Sequence, residues 1–204
     1  LKDGKLTAER IDESVRKILE AKYRFGLTGS VNISTANLAS DLVTGEARAL
    51  NQKIIELAIT MVKNADGLVP IGNIEKKIST LAIGASTKTP FQQQVDAYCK
   101  ASHFFFNKET SSSLSEKLSG MDLVIVATTG MNNSLKDNFR ISKDAVALVN
   151  QLSKKTKVIV VVFGNPYGLS NFVSPSTVIC AYNDDALSQS LGIQAVFGGL
   201  PING

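Results

Sequence analysis

The chain opens on a helical period. Ile11, Val15, Ile18 and Leu19 fall three and four residues apart, which gathers them on one face of an amphipathic helix with charged residues behind. Thr7 reads as its N-cap and Gly26 as its stop. Residues 28–45, rich in Ser, Thr, Asn and Gly, show no period and read as a linker or wrapping loop. A second helical pattern covers 46–63, where Leu50, Ile54, Leu57, Ala58, Met61 and Val62 predict a wide buried face. Asn64-Ala65-Asp66-Gly67 supplies turn chemistry after it.

From residue 78 the period changes. Strands are expected over 78–84, 102–106, 122–128, 158–163 and 177–181, and helices between them over 90–100, 111–118, 143–153 and 185–197. Leu123-Val124-Ile125-Val126-Ala127 and Val158-Ile159-Val160-Val161-Val162-Phe163 are apolar at every position, as suits central parallel strands covered on both faces. Alternating strands and helices predict an α/β fold: a mostly parallel central sheet with helices on both faces, a flavodoxin-like α/β sandwich. In such sheets ligands meet the loops that leave the C-terminal strand ends. Here those loops are 84–87, 129–133, 164–167 and 183–185.

Composition narrows the function classes. Apolar residues make up 44% and charged residues 20% of 204 residues, as in globular domains. No apolar run approaches the roughly 20 residues of a membrane span. The net charge is +4, with basic knots at Lys76-Lys77 and at Lys154-Lys155-Thr156-Lys157. The knots are scattered and lack interleaved aromatics, so they read as a solvated basic face and not as a nucleic-acid surface. With two cysteines, Cys99 and Cys180, and one histidine, His103, a metal site is not expected. The cysteines read as core packing, and no cofactor is expected.

The loops offer limited chemistry. Gly84-Ala85-Ser86-Thr87-Lys88-Thr89 lacks the further glycines of a dinucleotide fingerprint. Gly164-Asn165-Pro166-Tyr167-Gly168 is the most distinctive loop. Asn165 donates and accepts, and Tyr167 brings a hydroxyl and a flat ring. That set suits a sugar rim or an interface, and equally a rigid turn whose Asn bonds its own backbone. His103 lies in an apolar run and reads as a packed strand residue, and no Gly-x-Ser-x-Gly elbow accompanies the serines.

Four ordered segments resemble family 3 glycoside hydrolases. They are Arg10-Ile11-Asp12-Glu13-Ser14-Val15-Arg16-Lys17-Ile18-Leu19 with Phe25-Gly26-Leu27; Leu57 to Asn64 with Gly67-Leu68-Val69-Pro70-Ile71; Val160 to Tyr167; and Ala195-Val196-Phe197-Gly198 with Ile202-Asn203-Gly204. The resemblance implies that residues 1–27 form the helix closing a preceding catalytic (β/α) barrel, 28–45 the linker, and 46–204 the C-terminal α/β sandwich domain without its final strand. It implies retaining hydrolysis of β-linked sugars, which uses two carboxyl-type groups about 5 Å apart. The nucleophile would be an Asp on the barrel, outside this chain. In the β-glucosidase branch a Glu of this domain is the acid/base, but residues 130–140 contain no Glu and only Asp137 as a carboxylate. That departure resembles the bacterial β-N-acetylglucosaminidase branch. No catalytic residue is therefore expected in this chain, which alone should be inactive.

Asn132, Asn165 and Tyr167 are the residues expected near substrate or at the domain interface. The implied partners are the barrel of the same polypeptide and, through it, a carbohydrate. The family suggests a periplasmic or extracellular setting. The competing reading is a free-standing flavodoxin-like module that binds a small ligand at the sheet's switch point or serves as an interaction domain.

Overall fold

A computed structural model describes residues 6–27, 29 and 34–204. The chain divides into two compact units, Leu1–Ala47 and Arg48–Gly204. In the first, helix α1 (Ala8–Arg24) is capped by Thr7, whose hydroxyl accepts from the Arg10 backbone N–H at 3.2 Å. Within its own unit the stripe of Ile11, Val15, Ile18 and Leu19 is uncovered. A short helix α2 (Leu38–Leu42) follows. The expected linker falls partly on residue 28 and residues 30–33, outside the described residues.

Helix α3 (Gly45–Ala58) ends earlier than its periodicity predicts. Residues Thr60–Asn64 form strand β1, paired antiparallel with a later strand. The expected wide buried face is also not there: Leu50, Ile54 and Leu57 are exposed, and Ile55 is the one buried residue of α3. The cause is where the chain turns. At Ile59, itself buried, it leaves the helix for the sheet edge, so only the last helical turn reaches the core. Unpaired strand edges attract any extended neighbour, and that pairing overrides the helical pattern over its last residues, 59–63.

The rest follows the alternation: β2 (Ile78–Ile83), α4 (Pro90–Asp96), β3 (Ala101–Phe105), α5 (Ser111–Ser119), β4 (Leu123–Thr128), α6 (Lys143–Leu152), β5 (Lys157–Val162), β6 (Thr177–Cys180) and α7 (Ala186–Val196). The six-stranded sheet has the order β1-β6-β5-β4-β2-β3, parallel except for β1. The five expected strands and the helices between them are all present, and the α/β class holds. The five parallel strands run in the flavodoxin order, with the switch point between β2 and β4.

Successive side chains of a strand point to opposite faces, so the sheet supports two cores. Ile125, Ala127, Ile159, Val161 and Phe163 face one, covered by Phe91 and Val95 of α4 and Leu191, Ile193 and Val196 of α7. Val124, Val126, Val158, Val160 and Val162 face the other, covered by Leu114 and Leu118 of α5 and by Ala145, Leu148, Val149 and Leu152 of α6. Cys180 is fully buried at the end of β6, and burial pushes its thiol up, partly offset by a hydrogen bond from the Tyr182 backbone. No described helix is long and apolar enough to cross a membrane.

Because Ile159 is completely buried on a central strand, Ile159→Ala should destabilise the domain by about 2–5 kcal/mol. Val173→Ala, at a largely exposed position, should change stability by under about 0.5 kcal/mol. Paired urea denaturation curves check both.

Candidate functional site

The loops after β4 and β5 leave the sheet side by side, because Thr128 pairs with Val162 at the ends of those strands. They are joined by asparagine amides. Asn165 donates from Nδ2 to Asn133 Oδ1 at 3.2 Å. Deeper in, Asn138 and Asn171 form a reciprocal pair, each Nδ2 donating to the other's Oδ1 at 3.1 Å. Asn138 also donates to the Ile141 carbonyl at 2.7 Å and Asn171 to that of Gly168 at 3.0 Å. Each amide is thus used on both sides, which fixes its orientation.

Backbone conformation sets up this clamp. Asn138, Phe139 and Arg140 have φ of 48°, 58° and 64°, the left-handed region that non-glycine residues seldom occupy. Asn tolerates it best. For Phe139 the compensation is burial, since its ring is 4% exposed. Met131 fills the space between the loops. A Cβ added at Gly164 would lie 3.0 Å from Met131 Cβ, and one at Gly168 would lie 2.7 Å from Met131 Cε and 3.1 Å from Ile141 Cδ1.

Of the three residues singled out in the sequence, Asn165 is half-buried and Tyr167 is 76% exposed. Asn165 Oδ1 accepts from the Tyr167 backbone N–H at 3.0 Å, so it rigidifies its own turn and also bridges to the neighbouring loop. Tyr167 projects its ring from the rim. Asn132 is not bonded to Asn165; its Nδ2 donates to Asp137 Oδ2 at 3.3 Å and its Oδ1 accepts from the Ser134 N–H at 3.0 Å. Asp137, the single carboxylate of loops 129–140 and 164–171, is exposed. The rim can therefore hydrogen-bond and stack against a polar ligand, but it holds no pair of carboxylates that could cleave a glycosidic bond within these two loops.

At the switch point the backbone after β2 packs closely on that after β4. Gly84 has φ 92°, and a Cβ there would sit 2.0 Å from the Thr129 carbonyl oxygen. Asp184, not singled out in the sequence, ties the region together. Its Oδ2 accepts from the Gly130 N–H at 2.6 Å and its Oδ1 from Gln189 Nε2 at 2.7 Å, while Gln189 Oε1 accepts from the Phe91 N–H at 3.1 Å. Burial pushes the Asp184 carboxyl above its ordinary value, partly offset by the Gly130 and Gln189 hydrogen bonds.

His103 is more connected than its apolar surroundings suggest. Parallel register sets it beside Thr80. Its Nδ1 lies 2.8 Å from Thr80 Oγ1 and its Nε2 2.9 Å from Asp96 Oδ1, an acid, imidazole and hydroxyl in line. Thr80 is completely buried, and its oxygen also accepts from Gln92 Nε2 at 3.1 Å. A nucleophile must reach its substrate, so this chain of bonds fastens the edge strand β3 to α4 and does not form a catalytic triad. Among the described residues, no group of three or more His, Cys, Asp or Glu could hold a metal ion.

No protein-family model matches the chain. A β-N-acetylglucosaminidase/β-glucosidase of Cellulomonas fimi is 25% identical over a 223-residue alignment that takes in all of this chain and 39% of that protein. The chain thus spans about two fifths of the length of the curated relative it matches. A family 3 β-N-acetylglucosaminidase from Paenibacillus superposes with a TM-score of 0.69 at 19% identity, over 99% of this chain and 40% of that one. A β-glucoside phosphorylase superposes with a TM-score of 0.74 at 19% identity, over 99% and 39%. The fold is that of the C-terminal α/β domain of family 3 glycoside hydrolases. In this family 3 fold the asparagine clamp occupies the C-terminal edge of β4 and β5, where α/β sheets meet their ligands.

Gly168→Ala should destabilise the clamp, costing about 1–3 kcal/mol. The same change at Gly72, which has open space around it, should cost little; thermal melts compare them. The Asp96 carboxyl carries a pH signature. Its slight burial favours the neutral acid, but hydrogen bonds and charges from Lys88 and His103 outweigh this and hold it below its ordinary value. A lowered folded-state value stabilises the fold above the ordinary Asp value of about 3.9, and that contribution disappears as pH falls through the folded value. Melts of the wild type and Asp96→Asn should differ above the ordinary Asp value and converge as pH falls through the lowered folded-state value; exposure of Asp96 keeps the gap small. A gap that widened on acidification would contradict the assignment.

Proposed function

We propose that this chain is the C-terminal domain of a retaining family 3 glycoside hydrolase acting on β-linked N-acetylglucosamine-type glycosides. In this reading residues 1–27 close a preceding catalytic barrel, 28–45 link it, and 46–204 form the α/β domain. The domain is scaffold and one wall of the sugar pocket, with Asn132, Asn165 and Tyr167 on the wall that faces barrel or substrate. The barrel of the same polypeptide supplies the nucleophile, and the carbohydrate reaches this domain through it.

The observation that carries the proposal is the asparagine-clamped rim. It is rigid, polar and topped by an exposed tyrosine, and Asp137 is its one acid. A wall that orients a sugar needs donors and a flat ring held in place; a wall that cleaves needs a second carboxyl-type group. The similarity to the Cellulomonas fimi enzyme, whose name covers both N-acetylglucosaminides and glucosides, supports the substrate class. The close backbone packing at Gly84 and Thr129 argues against a small-ligand module at the switch point.

The test is turnover of p-nitrophenyl N-acetyl-β-glucosaminide and the corresponding glucoside. The isolated chain should release no nitrophenol. The polypeptide extended upstream should release it, faster from the N-acetylated substrate, and Tyr167→Ala in that longer protein should raise KM. Turnover by the isolated chain would overturn the proposal.

A further inference from the structure

Asp184 follows β6 and reaches the loop after β4, 54 residues away in sequence. Its two carboxylate oxygens meet two donors. Oδ2 accepts from the Gly130 N–H at 2.6 Å, and Oδ1 accepts from Gln189 Nε2 at 2.7 Å. The Gln189 amide is not free to turn and present its oxygen instead, because Oε1 already accepts from the Phe91 N–H at 3.1 Å. Asp184 must therefore accept on both oxygens, which among side chains only an ionised carboxylate does. An asparagine, or a protonated acid, would set a donor against one of its partners.

A charge in this place is held against its surroundings. Asp184 is half-buried, and no ion pair among the described residues includes it. Burial and the neighbouring Asp185 both oppose ionisation. The elements packed around it bring no relief. Helix α7 carries no charged side chain, and its cap Asp185 is an anion whose Oδ1 accepts from the Ser188 N–H at 2.7 Å. Lys88, after β2, is bonded to Asp96 at the end of α4. Lys136, Asp137 and Arg140 lie exposed at the far end of the loop that Gly130 opens. Carboxylates opposed in this way gather at functional sites.

The bond acts where the chain turns from β4 into the rim. Gly130 has φ 64°, and the next residue, Met131, is the wedge between the loops. Met131 Sδ accepts from Thr128 Oγ1 at 3.3 Å, and its side chain occupies the space that a Cβ at Gly164 or Gly168 would need. Asn132 follows, its N–H donating to the Phe139 carbonyl at 3.3 Å. A shift of Gly130 therefore moves Met131, and Met131 spaces this loop from the turn that carries Asn165 and Tyr167.

We propose that Asp184 is a positioning residue for the sugar-facing rim: by holding the Gly130 N–H it seats Met131, and through Met131 it places Asn132, Asn165 and Tyr167. Asp184 itself touches no substrate. Protonation, or replacement by asparagine, releases Gly130 and lets the wedge move. The inference rests on the reading of this rim as a wall for an N-acetylglucosamine-type sugar.

Two measurements test it. In the 204-residue chain, the backbone amide resonances of Gly130, Asn165 and Tyr167 should titrate together, at a pH above the ordinary Asp value of about 3.9. Their shared titration should vanish in Asp184→Asn. If that variant does not fold, Asp137→Asn/Asp185→Ser decides: it removes the other two carboxylates of the region, keeps a cap on α7, and should retain the titration. In the polypeptide extended upstream, Asp184→Asn should raise KM for p-nitrophenyl N-acetyl-β-glucosaminide about fivefold or more and leave kcat within about twofold. Wild-type KM should rise as pH falls through the Asp184 value, and the variant should lack that limb. Asp184→Asn/Gln189→Glu exchanges the two roles, the new amide donating to the new carboxylate, and should return KM to within about twofold of the wild type. A Gly130 titration that Asn165 and Tyr167 do not share, an unmoved KM in Asp184→Asn, or a KM left raised by the exchange would overturn this inference alone. Absence of turnover by the longer wild-type protein would overturn the glycosidase reading and this inference with it.

Discussion

The structure depends on burial of β4 and β5 on both faces. Every residue from Leu123 to Thr128 and from Val158 to Val162 is buried. An extended segment that is apolar on both sides is stable only where helices cover both sides and neighbours satisfy its backbone. That requirement fixes α4 and α7 on one face and α5 and α6 on the other. It also fixes the height at which the loops after β4 and β5 emerge. The asparagine clamp follows, because amide pairs 33 residues apart in sequence can meet at 3.1 Å only if the strand ends beneath them are in register.

What could be read from the sequence tracks the strength of local signals. Continuous apolar runs such as Val158 to Phe163 have one comfortable environment, so the central strands and their order of appearance are legible. The segment 57–64 is not, because six apolar or β-branched residues fit either a helical face or an edge strand, and a distant strand, β6, decides between them. The site is legible only at its tip. Asn165 and Tyr167 stand out beside Pro166, whereas Asn138 and Asn171 look like ordinary loop residues until the fold pairs them. The left-handed backbone at Phe139 has no signal in sequence, since a phenylalanine there is tolerated only through its burial. The bonds of His103 are hidden for the same reason: they depend on β2 and β3 register.

Gly84 and Asp184 explain why this flavodoxin-ordered sheet does not offer the usual crevice. A ligand at a switch point needs the loops on either side to diverge. Here the Gly84 backbone lies against Thr129, with no room for even a methyl group. Asp184 reaches across to the Gly130 N–H, and Gln189 links the same carboxylate to α4. Polar groups that would otherwise face a ligand are spent on one another. The exposed ring of Tyr167 and the half-buried amide of Asn165 therefore stand on a closely packed base.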